Sequence, residues 1–126
     1  MKKKILRLCL ILFISLLPAT LFTACDSDTN SYLEVLVLDE LTKAPVSGVT
    51  VQVYQNNCDE SDYNYRIGVT NASGIYSTYF EAPGIMSILA TYNVANGGQR
   101  RGSGTVRIIE GETKNVQIIL GNDIFY

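Results

Sequence analysis

The sequence lacks histidine and tryptophan altogether. Ser-His-Asp and Cys-His catalytic systems need an imidazole base, and protein zinc sites commonly use imidazole nitrogen. The absence of histidine therefore excludes these nucleophile systems and His-based zinc sites. The absence of tryptophan means that any aromatic platform for sugar rings would have to be made of tyrosine. We expect no enzymatic activity, no cofactor and no bound metal.

Cysteine is scarce, with Cys9, Cys25 and Cys58 as the three examples. Cys9 lies in the leader and Cys25 is the acylation site predicted below, so Cys58 has no intramolecular partner and no disulfide framework is expected. A lone thiol in an oxidising compartment can be reactive or form an intermolecular bond. The alternative, a small and partly buried side chain that fills space, is favoured.

The first 24 residues have the order of an export signal. Residues 2–7 carry four basic side chains, and residues 8–17 form an apolar run. The following Leu-Phe-Thr-Ala-Cys resembles the lipobox of bacterial lipoproteins, whose cysteine becomes the diacylated N-terminus after cleavage. The alternatives are a membrane-spanning helix, although the run is shorter than the roughly 20 residues that a bilayer requires, and an ordinary secretory signal. We predict a signal peptide over residues 1–24 and an outer-membrane lipoprotein, lipidated at Cys25, that faces the periplasm or the cell surface.

Charge in the remaining chain is acidic. From Cys25 onward there are six basic and twelve acidic residues. Because phosphate binding needs a net basic surface, this balance argues against a nucleic-acid partner. It also gives no reason for membrane attraction beyond the acyl anchor. The length left after cleavage, about 100 residues, is that of one domain.

Residues 25–31 form a short polar segment that predicts a flexible tether behind the lipidated cysteine. Its two aspartates resemble the export signals that send lipoproteins of Bacteroidota to the cell surface. The alternative is a plain soluble linker. The domain proper is predicted over residues 32–126.

The domain has the period-two alternation of β-strands and no helical period. The runs are separated by turn residues at short intervals, which predicts an all-β, seven-stranded Greek-key β-sandwich. The predicted strands cover residues 32–38, 49–54, 63–69, 75–80, 85–92, 99–108 and 116–120.

A tight turn over residues 69–76 is the point around which the strands are arranged. Asn71 is suited to hydrogen-bond its own turn backbone, and Gly74 can adopt a positive φ. We assign both residues a structural role in this turn.

Four motifs in the family's order resemble the carboxypeptidase regulatory-like domain, a transthyretin-like or prealbumin-like β-sandwich. An apolar strand ending in Asp39 is followed by TKAPVSGVTV at residues 42–51. TNASGIY at 70–76 matches the family's Thr-Asp-x-x-Gly-x-Tyr turn, and PGIMSILA at 83–90 matches Pro-Gly-x-Tyr-x-Leu-x-Val. A last strand, VQIIL, follows at 116–120.

The resemblance covers nearly the whole domain and departs from the family at Asn71, where Asp is usual, and at Met86, where Tyr is usual. It implies a non-catalytic accessory module. Enzymes of related fold rely on histidines that this chain lacks. Collagen-adhesin B-type domains of the same fold link a first-strand lysine to a last-strand asparagine. Asn115 is suitably placed here, but residues 32–38 contain no lysine, so a crosslink is not expected.

Two pairs of residues are candidate partner contacts. Tyr63 and Tyr65 would share one face of a strand and form a platform for sugar or protein, against the alternative of packing within the sheet. Arg100 and Arg101 would form a basic hairpin tip that contacts a partner, against the alternative of a solvated loop end. A third feature, the acidic loop at residues 59–62, could offer oxygen ligands to calcium, but it lacks the spacing of a calcium loop and is interpreted as solvated.

Two functions remain. The first is a non-catalytic, lipid-anchored envelope protein whose β-sandwich contacts an envelope or surface protein as a structural accessory. The second is a glycan-binding accessory lipoprotein of a polysaccharide-uptake system. Exposed coplanar tyrosines would favour the second, and buried tyrosines the first.

Overall fold

The computed structural model describes residues 30–126. The predicted signal peptide, the lipidated Cys25 and all but the end of the predicted tether lie outside the described residues. Between residues 30 and 126 no helix is long and apolar enough to cross a bilayer.

Seven strands form two sheets packed face to face. The smaller sheet has the order β4-β1-β7 and the larger sheet the order β3-β2-β5-β6. Neighbouring strands are antiparallel except for β1 and β7, which are parallel. The predicted seven-stranded, all-β sandwich is confirmed. The strands are β1 (Ser31–Asp39), β2 (Thr50–Tyr54), β3 (Arg66–Val69), β4 (Ile75–Phe80), β5 (Gly84–Asn93), β6 (Gln99–Ile108) and β7 (Thr113–Leu120).

The core lies between the sheets and is built from alternate residues of the strands. Alternate side chains in the middle of β1, β2 and β5 are fully buried, whereas the residues between them face outward. Burial of these aliphatic side chains is the main favourable term in folding. The largest buried side chains are Phe80, Leu33, Met86, Ile88, Ile108, Ile118 and Leu120.

The turn between β3 and β4 has the geometry that its residues favour. The Asn71 side-chain oxygen accepts hydrogen bonds from the backbone N–H groups of Ser73, at 2.9 Å, and Ile75, at 3.1 Å. Gly74 has a φ of 76°, and a Cβ at this position would lie 2.8 Å from Cβ of Pro45. Glycine is therefore required both by the backbone angle and by the close approach of the β1–β2 loop.

The third strand differs from the prediction. It begins at Arg66 instead of residue 63, and its apolar residues Ile67 and Val69 are 55% and 59% exposed. The inward position is held by Gly68, where an added Cβ would overlap the ring of Tyr76. The Tyr76 ring thus takes the core space that a side chain on β3 would have filled, and the aliphatic residues face solvent.

The sandwich is closed where β6 meets β7. Gly121 donates its backbone N–H to the carbonyl oxygen of Arg101 at 2.9 Å. A Cβ on Gly102 would overlap the carbonyl oxygen of Ile119, so the missing side chain allows the two strands to approach. Beyond β7 the C-terminal tail, residues 122–126, pairs with the start of β6 through two backbone hydrogen bonds of 2.7 and 2.8 Å between Gln99 and Phe125.

Candidate functional site

The long β2–β3 loop is organised by one buried carboxylate. Asp62 Oδ2 accepts backbone N–H groups from Gln55 at 2.7 Å, Asn56 at 2.6 Å and Asn57 at 3.1 Å, and Oδ1 accepts that of Asn64 at 2.9 Å. These hydrogen bonds, with that of Asn56 the largest contribution, lower the pKa of Asp62 to about 2. The loop is therefore fixed around an ionised Asp62 that is almost fully buried.

The interpretation of residues 59–62 as a solvated acidic loop holds for residues 59–61, which are exposed, but not for Asp62, which is buried. Asp62 points into the loop, and both of its oxygens are occupied. Asp59 accepts hydrogen bonds from the hydroxyl and the backbone N–H of Ser61, which lower the pKa of Asp59. Within residues 30–126 no group of three or more His, Cys, Asp or Glu side chains could hold a metal ion.

Cys58 lies in the same loop and is exposed, whereas a small, partly buried side chain was expected. Its pKa is raised, mainly because the sulfur is partly desolvated and also because Asp59 is close by. The thiol is accessible to reagents but is not activated as a nucleophile.

The predicted tyrosine platform on β3 is not formed. Tyr63 precedes β3, is 74% exposed, and donates its hydroxyl to Glu81 Oε2 at 3.2 Å. Tyr65 also precedes β3, is half-buried, and accepts a hydrogen bond from Gln52 Nε2 at 3.0 Å. The two side chains have different partners and do not stand on one strand face, so the exposed coplanar pair that would have favoured glycan binding is not formed.

Another group of tyrosines is brought together instead. Arg66 donates from Nη1 to the carbonyl oxygen of Tyr63 at 3.4 Å and from Nε to that of Tyr79 at 3.2 Å. Its guanidinium lies 5.1 Å from the centre of the Phe80 ring. Tyr79 is 47% exposed and pairs in register with Tyr32 on β1, which is 42% exposed. We call Tyr32, Tyr63 and Tyr79 the tyrosine surface.

Arg100 does not form a solvated basic tip or a free partner contact. Its Nη2 donates to Asp39 Oδ1 at 2.8 Å and to Asn122 Oδ1 at 2.9 Å, and its Nε donates to the carbonyl oxygen of Gly121 at 2.8 Å. The pKa of Asp39 is lowered to about 2, first by the backbone N–H of Thr42 and then by Arg100. Arg100 therefore joins the start of the C-terminal tail to the end of β1.

Arg101 faces the opposite way and is exposed. Its Nη2 donates to Gln99 Oε1 at 3.2 Å, and its guanidinium lies 5.0 Å from the centre of the Phe125 ring. Such stacking orients a guanidinium while leaving its charge available. Of the two predicted arginines, only Arg101 remains a candidate contact.

The fold also places no lysine where the lysine–asparagine crosslink would need one. β1 contains no lysine. Asn115 on β7 pairs in register with Glu34, and Lys114 Nζ forms an ion pair with Glu112 at 3.2 Å.

The sequence offered little signal for the tyrosine surface. Tyr32 and Tyr79 each stand at an outward position of an alternating strand, but their contact depends on the β1–β4 pairing. Nothing in the sequence distinguishes Arg66, whose role depends on backbone carbonyl groups of two other segments.

Comparison with known proteins supports the fold alone. No protein-family profile matches the chain, and no curated protein sequence matches it. Among solved structures the chain is similar to the Bacillus anthracis TIE protein, with a TM-score of 0.56 at 19% identity over 75% of this chain and 17% of that one. It is also similar to BcpA, the major pilin subunit of Bacillus cereus, with a TM-score of 0.56 at 19% identity over 75% of this chain and 31% of BcpA. The chain is similar as well to GBS52, the minor pilin of Streptococcus agalactiae, with a TM-score of 0.52 at 19% identity over 74% of this chain and 44% of GBS52.

The chain thus spans less than half the length of each of these proteins. The likeness shows that the domain shares the β-sandwich fold found in part of each of these proteins.

Proposed function

We propose that this protein is a non-catalytic module of the bacterial envelope, anchored by a lipid on Cys25, that works by contacting another envelope or surface protein through the tyrosine surface. The observation that carries the proposal is the gathering of Tyr32, Tyr63 and Tyr79 beside a loop held rigid by Asp62. Tyrosine is enriched at the energetic centres of protein interfaces because it buries a large apolar area and still offers a hydroxyl.

Rigidity of the surface supports this role. Side chains that are already ordered lose less conformational entropy when a partner binds. Arg66 links Tyr63 to Tyr79 through their carbonyl oxygens, and Glu81 fixes the Tyr63 hydroxyl. A partner would therefore meet a surface that is already in place.

The pilin neighbours support a structural or adhesive task at the cell surface. BcpA and GBS52 are pilin subunits by name, and both contain a sandwich of this kind. The lipid anchor is supported by the order of the leader, in which a basic segment, an apolar run and small residues precede Cys25.

Site-specific photo-crosslinking in cells tests the contact. A photo-reactive phenylalanine analogue at position 63 or 79 is expected to give one adduct of the same size. The matched control is position 41, because Leu41 is 78% exposed and follows the opposite end of β1. No adduct at position 63, or the same adduct at position 41, would contradict the proposal.

The anchor is tested separately. The wild-type chain should incorporate an alkyne-labelled fatty acid and stay with the membrane fraction, whereas Cys25→Ala should lose both properties. Cys58→Ser is the control and should keep both. Labelling that survives in Cys25→Ala would contradict lipidation at this residue.

A further inference from the structure

Charge is divided between the two sheets. The four strands of the larger sheet, β2, β3, β5 and β6, contain no aspartate or glutamate but hold four of the six basic residues within residues 30–126. All ten acidic residues of that range lie in the smaller sheet, the loops and the tail. A net acidic protein therefore presents one sheet that is wholly free of carboxylates.

Two of the four arginines keep their charge available. Arg66 is directed to backbone carbonyl oxygens and Arg100 to Asp39. Arg101 and Arg107 are exposed on the outer side of β6, and neither forms an ion pair within the described part of the chain. We call the outward side chains of β2, β3, β5 and β6 the basic face.

The basic face has a depression beside Arg101. An open depression of about 490 Å³ crosses all four strands. Leu89 and Ile67 supply its apolar part, and hydroxyl and amide groups from Thr50, Gln52 and Thr91 line the rest. These neutral groups both donate and accept hydrogen bonds.

Tyr65 is hydrogen-bonded through its hydroxyl to Gln52, which lines this depression. Gln52 is paired with Ile67, two residues along from Tyr65. The tyrosine side chain therefore extends diagonally towards β2, and its hydroxyl lies beside the depression. A ring in this position offers a flat apolar surface next to hydrogen-bonding groups.

We propose that the basic face binds a short stretch of an acidic polysaccharide, with a uronate carboxylate on Arg101, hydroxyl groups on Gln52 and Thr91, and a sugar ring against Tyr65. The stacked guanidinium of Arg101 can donate two parallel hydrogen bonds to a carboxylate. The face runs three strand spacings from β6 to β3, about 14 Å, which suits a short oligosaccharide.

The observations favour a glycan over other polyanions. An extended peptide usually binds a free strand edge or a groove, whereas the backbone groups in the middle of this sheet are already paired between strands. An anionic membrane would be met best by a cluster of lysines and arginines, and only two exposed arginines are present on this face. A lining of hydroxyl and amide groups matches a ligand that itself carries many hydroxyls.

Binding of trigalacturonate, measured by calorimetry or by NMR shifts at low salt, tests the inference. Arg101→Gln should weaken affinity roughly tenfold or more, the loss expected for one charge-assisted pair. Tyr65→Leu should weaken it as well. The matched control is Arg107→Gln, which makes the same change on the same strand and face but six residues away, about 20 Å. It should leave the affinity within a factor of two, because a trisaccharide bound at Arg101 does not reach it.

Four results would overturn the inference. The first is no binding of trigalacturonate at millimolar concentration, and the second is equal losses in Arg101→Gln and Arg107→Gln. The third is equal binding of neutral maltotriose. The fourth is binding to hexaglutamate or to phosphatidylglycerol vesicles that is at least as tight, which would assign the face to a peptide or to a membrane. The tyrosine surface is not involved, so this proposal and the proposed protein contact can fail independently.

Discussion

Replacing Gly102 by alanine tests how the sandwich is closed. A Cβ at this position would overlap the backbone carbonyl oxygen of Ile119 on β7 and lie 3.0 Å from Cγ2 of Ile118. A backbone atom cannot rotate away, so β6 and β7 would have to separate. The hydrogen bond from Gly121 N–H to the carbonyl oxygen of Arg101 joins the same two segments and would be weakened.

The expected loss follows from three contributions. Overpacking costs about 1–3 kcal/mol, and a lost backbone hydrogen bond adds about 1 kcal/mol. Alanine restricts the unfolded chain more than glycine does, and this stabilises the folded state by about 0.4–1 kcal/mol, which offsets part of the loss. Gly102→Ala should therefore reduce the free energy of unfolding by about 2 kcal/mol, which lowers Tm by about 8–16 °C for a domain of this size.

Gly104→Ala is the matched control, because it adds the same methyl group to the same strand and the same inward face. Its Cβ would lie 2.7 Å from Cδ1 of Ile118, the end of a side chain that can change rotamer. We expect its free energy of unfolding to stay within about 1 kcal/mol of the wild-type value. Thermal and urea unfolding measure both variants, and equal losses, or a stabilised Gly102→Ala, would refute the reasoning.

Three further predictions concern the loops and the tail. The pKa of Asp62 is about 2 in the folded chain against 3.8 ordinarily. Its contribution to the free energy of unfolding should therefore be complete above about pH 5 and be lost as pH falls from 3.8 towards 2. Asp62→Asn should flatten that part of the plot of unfolding free energy against pH, and an unchanged plot would contradict this. Cys58 should react with a membrane-impermeant maleimide in the folded state, slowly near pH 7 because its pKa is raised, and Asp59→Asn should speed the reaction. Arg100→Leu should raise the hydrogen-exchange rate of the Phe125 backbone amide roughly tenfold or more, because charge-assisted hydrogen bonds to the tail are lost. Arg107→Leu is the control and should leave that rate unchanged.

Much of the fold could be predicted from the sequence, because strands and turns leave local signals. Alternation, apolar content and the spacing of turns together indicated the seven strands, and the Asn71 to Gly74 turn was evident from its residue types. The candidate site was harder to predict. Tyr63 and Tyr65 looked like one face of a strand because their spacing is two, but the hydrogen bonds of Asp62 keep that segment in the loop.

The sequence alone determined the absence of histidine chemistry, the all-β alternation and the absence of acidic residues from four of the strands. These are local or compositional properties, so no knowledge of chain folding is needed to see them. Tertiary structure decided which face of β3 turns inward, because the Tyr76 ring occupies the space inside Gly68. It also decided that Arg100 meets Asp39, 61 residues away, while Arg101 is left facing solvent. Alternation distinguishes two faces of a strand, but only the packing of distant segments determines what each face meets.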